Sequence, residues 1–433
     1  MSDIATLYVL VALSFFGIVA VPVYHYVRKG RRDLFEPVYL AMLAFFMLFW
    51  VRSVYVLIWG STYLGERPFA SDIVKSWNVA WLYLLLACGA FYVGYYSNLG
   101  LAVAKIFAPL PAKWHGRRAG WVILIILAVG LGALYLLVGR YGGFENFLDR
   151  RRSPEVLGLG EVDQLRYCIC LSMQAAYAVM LSRRKGLGLF ILLLLITLGS
   201  SLASGSRITL LFPLLGLLMI HHYLKKPLKF RHLVGLVLLF ALILSPIMIV
   251  LRESPSSART SFWEQLRNQE AVSGFLERFS GMDGLVYIIR DTPKVMDYQY
   301  GKTFAFALVA WIPRRFWKDK PLDFVHVFTP LYLGRWFRPE STGFGPTILG
   351  EAYVNFHVAG ILLVAGVGGI FLRALYHYLI KRSPGISGVF VYSAILPFII
   401  ICLESQCVGL LTPAWIFLLT CGSSLFASAK RLE

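Results

Sequence analysis

The amino-acid sequence predicts an all-α polytopic integral membrane protein, and three observations carry that prediction. The 433 residues are 58% hydrophobic and only 15% charged, whereas soluble domains are about 25% charged. The mean hydropathy is +0.68, and apolar runs recur at close to the ~20 residues with which a helix crosses a bilayer. Short loops rich in lysine and arginine separate many of these runs. A β-barrel would show short strands of alternating polarity instead.

About eleven transmembrane helices are expected, because eleven apolar runs approach the required length. The first run lacks a charged n-region and a small-residue cleavage site, which favours a retained helix over a signal peptide. The ninth run is too long for one straight crossing, so it should begin in the interface, tilt, or break near Gly360. The expected spans are 4–26, 35–59, 73–97, 119–138, 164–182, 187–204, 207–224, 233–252, 346–380, 386–405 and 407–428.

Basic clusters give the expected orientation of these spans. VRKGRR after the first span, KWHGRR before the fourth and IKR after the ninth all fall on one side of the topology. The positive-inside rule makes that side cytoplasmic. We therefore expect the N-terminus outside and the C-terminus in the cytoplasm.

Three regions follow from this topology. N-terminal membrane helices occupy 1–252 and contain a short external loop near 139–163, a long external loop occupies 253–345, and C-terminal membrane helices occupy 346–433. Residues 252–345 carry thirteen lysines and arginines against ten acids, a net charge of 13 − 10 = +3, and arginine outnumbers lysine. Arginine suits bidentate recognition of phosphate and carboxylate groups. Nucleic-acid binding is not expected, because this loop faces away from the cytoplasm.

Two arginines interrupt apolar runs. Arg207 follows a small-residue break in SLASGSRITLLF near the external face, and a charge in a membrane span is costly unless it faces protein or water. For Arg207, snorkelling to the headgroups and contact with an anion at the mouth of a cavity both stay open. For Arg52, in the second span, we favour snorkelling.

Further clusters lie in the external loops. Arg150, Arg151 and Arg152 form either a solvated face or a site for an anionic headgroup. Glu161 and Asp163 have an acid-x-acid spacing, which is a weak metal signal. AWIPRRFWKDKP ends a short apolar stretch, 304–317, that we expect to lie in the interface. Residues 273–291 have helical periodicity with Arg278 and Arg290 at polar positions.

The strip STGFGPTILGEAYVNF, residues 341–356, joins the long loop to the ninth span. Gly343, Gly345 and Pro346 favour an irregular backbone that can approach a ligand closely. Thr347 can cap the helix that follows, and Glu351, one turn later, shares its face. A structural role for Glu351 and a chemical one both stay open. Tyr353 and His357 share a second face, and a packing role is favoured for His357.

The order of these motifs resembles the bacterial oligosaccharide repeat-unit polymerases, the Wzy-type O-antigen and enterobacterial-common-antigen polymerases, which share a superfamily with the O-antigen ligases. The resemblance rests on SGSRITLLFPLL, ERFSGMDGLVYIIRD, WIPRRFWKDKP and STGFGPTILGEAYVNFHVAG, in that order. It implies a GT-C-type architecture in the bacterial inner membrane, with an active site on the periplasmic side. The sequence contains no nucleophile elbow, P-loop, HExxH or dinucleotide fingerprint that would indicate another class of enzyme.

The resemblance implies metal-independent glycosyl transfer without a cofactor. The donor would be an oligosaccharide on undecaprenyl pyrophosphate and the acceptor a second lipid-linked repeat unit, in contact with membrane lipid. Chain-length regulator and flippase proteins are the implied protein partners. Because pyrophosphate is already a good leaving group, the protein would mainly have to stabilise the charge of the departing pyrophosphate and to position the two substrates.

Three sets of residues are then assigned roles. The pyrophosphate would be held by Arg207, Arg278, Arg290 and Arg315, with Arg314 in reserve. The general base would be Glu351, Asp283 or His326, the last being the only histidine of the long loop. The glycan or the lipid headgroup would contact Arg150, Arg151, Arg152, Trp311, Trp317 and Tyr353.

Other functions stay open. A ligase of the same superfamily would transfer the glycan to another acceptor. A lipid-linked oligosaccharide flippase or other transporter is the alternative of another class, and a membrane scaffold is a third. Transporters often show repeats and helices broken near the midplane, whereas the irregular, charged sequence here is concentrated on one face.

Overall fold

The computed structural model of the protein describes residues 2–28, 33–59, 71–140, 142–143, 165–204, 207–229, 235, 280–310, 312, 316–321, 323–333 and 345–429. All regular secondary structure in these ranges is helical. The expected span 233–252, nearly all of the loop near 139–163 and much of the loop 253–345 lie outside them. The all-helical prediction is confirmed for the part of the chain described.

The helices are labelled in chain order. They are α1 Asp3–Arg28, α2 Pro37–Ile58, α3 Ser71–Tyr96, α4 Leu99–Ile106, α5 Gly116–Arg140, α6 Tyr167–Arg183, α7 Leu187–Ser204, α8 Arg207–Leu224, α9 Gly281–Asp291, α10 Lys302–Val309, α11 Phe324–Leu333, α12 Thr347–Arg382, α13 Ile386–Ile401 and α14 Cys407–Ser428. Ten of the eleven expected spans coincide with one of these helices, to within a few residues.

Six of these helices, α1, α2, α3, α5, α12 and α14, are long and apolar enough to cross a membrane. Apolar stretches of ten to seventeen residues within α7, α8 and α13 are shorter than a full crossing. These lengths and compositions indicate a membrane-embedded protein. The count of eleven spans and the GT-C architecture stay predictions.

The long helices place the chain's loops at two ends. At one, the basic end, lie Arg28, Pro37, Tyr96, Gly116 and Arg382, where α1, α3 and α12 finish and α2 and α5 begin. At the other, the loop end, α12 and α14 begin, α9 and α10 pack, and α11 is held by a hydrogen bond from the Val325 amide to Gln406. The basic end is the one that the positive-inside rule predicts to be cytoplasmic.

The pair α3 and α12 forms the most extensive helix contact described. Glycines bring the two backbones together, as is common where helices pack in a membrane. A Cβ added at Gly94 would lie 2.1 Å from the Gly366 carbonyl oxygen, and one added at Gly369 would lie 2.3 Å from the Phe91 oxygen. A Cβ at the neighbouring Gly368 would meet nothing within 4 Å. Close packing therefore requires glycine at position 369 but not at 368.

We expect Gly369→Ala to lower the free energy of unfolding by about 1–3 kcal/mol, because the added methyl group forces α3 and α12 apart. Gly368→Ala is the matched control. It should be neutral or stabilising by roughly 0.5–1 kcal/mol, since alanine is the better helix former. Thermal unfolding of the two purified variants in the same detergent measures the difference. Equal melting temperatures for both variants would contradict the packing described here.

Helix α9 shows that the long loop is not wholly external to the helical body. Gly281 to Ile289 are all buried, and α9 packs against α2, α3 and α12. A helix, α10, covers only the first part of the stretch 304–317, and its position in the interface stays a prediction. Just beyond its end, the Lys320 ammonium group donates hydrogen bonds to the carbonyl oxygens of Ala310 (2.5 Å) and Ile312 (2.8 Å).

Helix α12 is broken, as its length predicts. Phe356 (φ −143°, ψ 26°) and His357 (φ 54°, ψ −149°) leave the helical region one turn before Gly360. A Cβ on Gly360 would lie 2.1 Å from the Ala352 carbonyl oxygen, so the bend requires glycine there. At the helix start, the Thr347 hydroxyl accepts a hydrogen bond from the Gly350 amide at 3.1 Å. The predicted cap at Thr347 is confirmed.

Candidate functional site

A turn between α13 and α14 gathers the candidate residues at the loop end. Gln406 Oε1 accepts a hydrogen bond from the Val325 amide at the start of α11 (3.0 Å). The next residue, Cys407, donates its amide hydrogen to Glu351 Oε2 on α12 (2.5 Å). Two adjacent residues thus hold the helix that carries His326 beside the helix that carries Glu351.

His326 is paired with Asp323, one turn earlier. Asp323 Oδ1 accepts hydrogen bonds from the His326 amide (3.0 Å) and from His326 Nδ1, and Gln406 also bonds this carboxylate. Burial opposes the charge on Asp323, but the hydrogen bonds from His326 outweigh it and lower the pKa of the carboxyl. The His326 side chain is 35% exposed. An ionised Asp323 that accepts from Nδ1–H leaves Nε2 as the proton acceptor.

Glu351 is fully buried. The Thr303 hydroxyl lies close enough to this carboxylate to stabilise its charge, whereas Asp323 lies close enough to repel it. Asn355, one turn along, bonds the Glu351 carbonyl oxygen (2.8 Å), the Thr303 hydroxyl (2.6 Å) and the Gly301 amide (2.7 Å). The start of α10 is therefore tied to the same turn of α12.

Asp283 lies apart from this cluster. Its Oδ2 accepts hydrogen bonds from Arg52 Nε (3.0 Å) and Nη2 (2.5 Å), and both side chains are almost fully buried. The prediction that Arg52 snorkels is wrong, because the guanidinium is 1% exposed and held inside the protein. Asp283 is a poor candidate for a general base, since its charge is already used in this ion pair.

The arginines are only partly described. Arg290 forms a bidentate pair with its neighbour Asp291 (2.8 and 3.0 Å) and lies 5.0 Å from the Tyr287 ring centroid. Arg207 begins α8 at the loop end, but the structure does not describe its side chain. The remaining predicted contacts, which are Arg150, Arg151, Arg152, Arg278, Trp311, Arg314 and Arg315, lie outside the described residues, as do Glu161 and Asp163.

The predicted aromatic contacts differ in exposure. Trp317 is exposed. Tyr353 is buried, with ring centroids of His357 at 4.8 Å, Tyr83 at 5.9 Å and Tyr298 at 6.3 Å. The shared face predicted for Tyr353 and His357 is confirmed. His357 is exposed at the bend of α12, and its ring lies 6.0 Å from that of Tyr298 and 6.1 Å from that of Tyr83, in agreement with the packing role favoured for it.

The glycines of the opening strip approach protein, not an open cavity. A Cβ at Gly345 would lie 2.5 Å from the Glu404 carbonyl oxygen, and one at Gly350 would lie 2.6 Å from the Ile288 side chain. Pro346 lies at the N-terminus of α12. Gly343 is outside the described residues. At Gly345, the close approach that was expected of a ligand is made by the Glu404 carbonyl group.

Residues 162–377 match the model of a family described as a domain of unknown function, DUF8712. The matched segment includes α9, His326 and Glu351. No curated protein and no solved structure matches the chain.

Three residues of the site were not selected from sequence. Asp323 has a local signal, an acid three residues before a histidine at a helix start. Gln406 and Asn355 have none, because Gln406 bonds Val325, 81 residues away, and Asn355 ties α12 to Gly301 and Thr303, 54 and 52 residues away. In the described ranges no group of three histidine, cysteine or acidic side chains is arranged to hold a metal ion.

Proposed function

We propose that this protein is a membrane glycosyltransferase that polymerises oligosaccharide repeat units carried on undecaprenyl pyrophosphate. The observation that supports this most directly is the His326–Asp323 pair, which is partly exposed at the loop end and anchored to the membrane helices by Gln406. A histidine oriented by a carboxylate is suited to removing a proton from a hydroxyl group.

In the proposed reaction, an acceptor hydroxyl oxygen attacks C1 of the donor sugar. The new bond joins that oxygen to C1, and the C1–O bond to pyrophosphate breaks with its electron pair on the departing oxygen. The hydroxyl proton passes to His326 Nε2, and the Asp323 carboxylate stabilises the resulting imidazolium. Glu351 does not take this proton in our proposal, because it is fully buried and one of its oxygens holds the Cys407 amide.

The departing pyrophosphate needs positive charge. Arg207 begins α8 at the loop end, where the positive end of the helix dipole adds to the guanidinium charge. Arg290 lies at the end of α9, with its side chain 22% exposed. Arg278, Arg314 and Arg315 are proposed for the same role from the sequence. Preorganised cations of this kind act without a metal ion.

The test is chain extension in vitro. Purified protein would be mixed with its lipid-linked repeat unit in detergent, and the products resolved by length, with and without EDTA. We expect a ladder of longer glycans that persists in EDTA. A protein that lengthens no glycan from an authentic substrate is not a polymerase.

A ligase is the second candidate, because the same pair could deprotonate a hydroxyl group on another acceptor. Adding a non-lipid-linked or lipid A acceptor separates the two. A single transfer to that acceptor without a ladder would identify a ligase, and movement of the substrate across vesicles without any transfer would identify a transporter.

A further inference from the structure

A cavity with charged lining residues lies at the basic end, the opposite end from the candidate site. Its volume is about 760 Å³, and it is lined by residues of three stretches of the chain, among them Asp33, Glu36, His222, Arg373, His377 and Lys381. Helix α1 finishes at Arg28, α2 begins at Pro37 and α12 finishes at Arg382. The cavity is therefore at the membrane boundary, where lipid headgroups lie.

The acidic floor of this cavity is internally satisfied. Asp33 accepts hydrogen bonds from the hydroxyls of Tyr376 (2.7 Å) and Tyr223 (2.8 Å) and from the Phe35 amide (3.1 Å). Burial opposes its charge, but the hydrogen bonds it accepts outweigh this and lower the pKa of Asp33. Glu36 accepts from the Tyr95 hydroxyl (3.1 Å) and from Arg373 Nη1 (3.4 Å).

The rim of the cavity is basic. Arg373, His377 and Lys381 recur every four residues on α12, and all three line the cavity. Lys381 is exposed, with its ammonium group 5.0 Å from the Tyr376 ring centroid. On the opposite side Pro227 lines the cavity, and Lys225 and Lys226, directly before it, are exposed. Within the described ranges no carboxylate lies in salt-bridge range of Lys225, Lys226 or Lys381.

We propose that this rim binds a phosphate group, that of a phospholipid headgroup at the membrane surface. The carboxylates of the floor have donors of their own, Arg373 among them, so what the cavity offers to a ligand is the charge of Lys381 at the rim and of Lys225 and Lys226 beside Pro227. Cavities of 300–1,000 Å³ are of the size that holds a small ligand, and basic pockets between membrane helices bind lipid phosphates. This site does not depend on the proposed transferase activity.

The test is lipid retention. The protein would be reconstituted in nanodiscs of phosphatidylcholine with increasing phosphatidylglycerol, extracted mildly, and its co-purified phospholipid measured by native mass spectrometry. We expect Lys381→Gln to weaken retention of phosphatidylglycerol about 5-fold, and the triple variant that also carries Lys225→Gln and Lys226→Gln about 100-fold. Lys113→Gln is the matched control, since Lys113 is exposed at the same end and does not line the cavity.

A competition with inorganic phosphate distinguishes the sources of the phosphate group. Displacement of the lipid by millimolar phosphate would support a site that recognises only the phosphate group of the lipid. Resistance to displacement, with the lysine variants still weakened, would support a site for the whole headgroup. Retention that is equal in the wild type, the Lys113→Gln variant and the triple variant would overturn the proposal, because these exposed lysines can be changed without loss of the fold.

Discussion

Replacing His326 with alanine is expected to slow glycan extension by about 10²- to 10⁴-fold, the usual contribution of a positioned general base. The variant should insert and fold normally, because the side chain is 35% exposed and lies outside the long apolar helices. The rate of ladder formation at saturating substrate measures the effect. His115→Ala is the matched control, since His115 is exposed at the basic end. Wild-type rates for His326→Ala would remove His326 as the base.

The partner of the base gives a second readout. Asp323→Asn should reduce the rate, because a neutral amide neither orients Nδ1–H nor stabilises the imidazolium. Since the pKa of Asp323 is lowered from its ordinary value of 3.8, its charge is present at neutral pH. The ionised Asp323 carboxylate therefore adds to the free energy of unfolding. This contribution is fully present above pH 3.8 and is lost as the pH falls through the lowered pKa of Asp323. A pH–rate profile that is unchanged in Asp323→Asn would contradict this arrangement.

The second large effect is expected on stability, at the buried ion pair between Arg52 and Asp283. Arg52→Met should lower the free energy of unfolding by about 3–5 kcal/mol, because it leaves the Asp283 carboxylate buried without its main partner. Unfolding in detergent, followed by tryptophan fluorescence, measures the loss. Arg28→Met is the matched control. Arg28 is exposed and bonds only the Tyr24 hydroxyl among described residues (3.0 Å), so a change within roughly 0.5 kcal/mol is expected.

The double variant Arg52→Met with Asp283→Leu completes the cycle. Removing both charges should restore most of the free energy of unfolding that Arg52→Met loses. The destabilisation by Arg52→Met comes chiefly from the buried Asp283 charge that is left without compensation. Additive losses in the double variant would show that the two side chains act independently, and would contradict the ion pair. Such a result would also reopen Asp283 as a candidate base.

The positions of the helices could be predicted from the sequence. Ten expected spans coincide with helices, because a helix that crosses lipid must be apolar over most of its length and must satisfy its own backbone hydrogen bonds. The bend of α12 was predictable for a related reason, since thirty-six residues exceed one straight crossing. The cap at Thr347 follows from a short-range rule, and the structure confirms it.

Other features depend on contacts between distant parts of the chain. Arg52 and Asp283 are 231 residues apart, and nothing in the surroundings of Arg52 in the sequence distinguishes an ion pair from a snorkelling side chain. The glycines of the strip were interpreted as ligand contacts, because sequence shows the freedom of a glycine but not what approaches it. Gly345 and Gly350 pack against Glu404 and Ile288.

The sequence alone determined the helical class, the places of the apolar helices and the start of α12 at which Glu351 lies, because hydropathy and helix capping act over a few residues. His326 became a candidate through the family resemblance, as the only histidine of the long loop. Tertiary structure alone decided how those candidates are arranged. It pairs His326 with Asp323, and the turn at Gln406 and Cys407 holds this pair near Glu351. It places Asp283 elsewhere, in the ion pair with Arg52. The physical reason is that hydrogen bonds and ion pairs form between side chains that packing brings within about 3 Å, and separation along the chain does not reveal which ones.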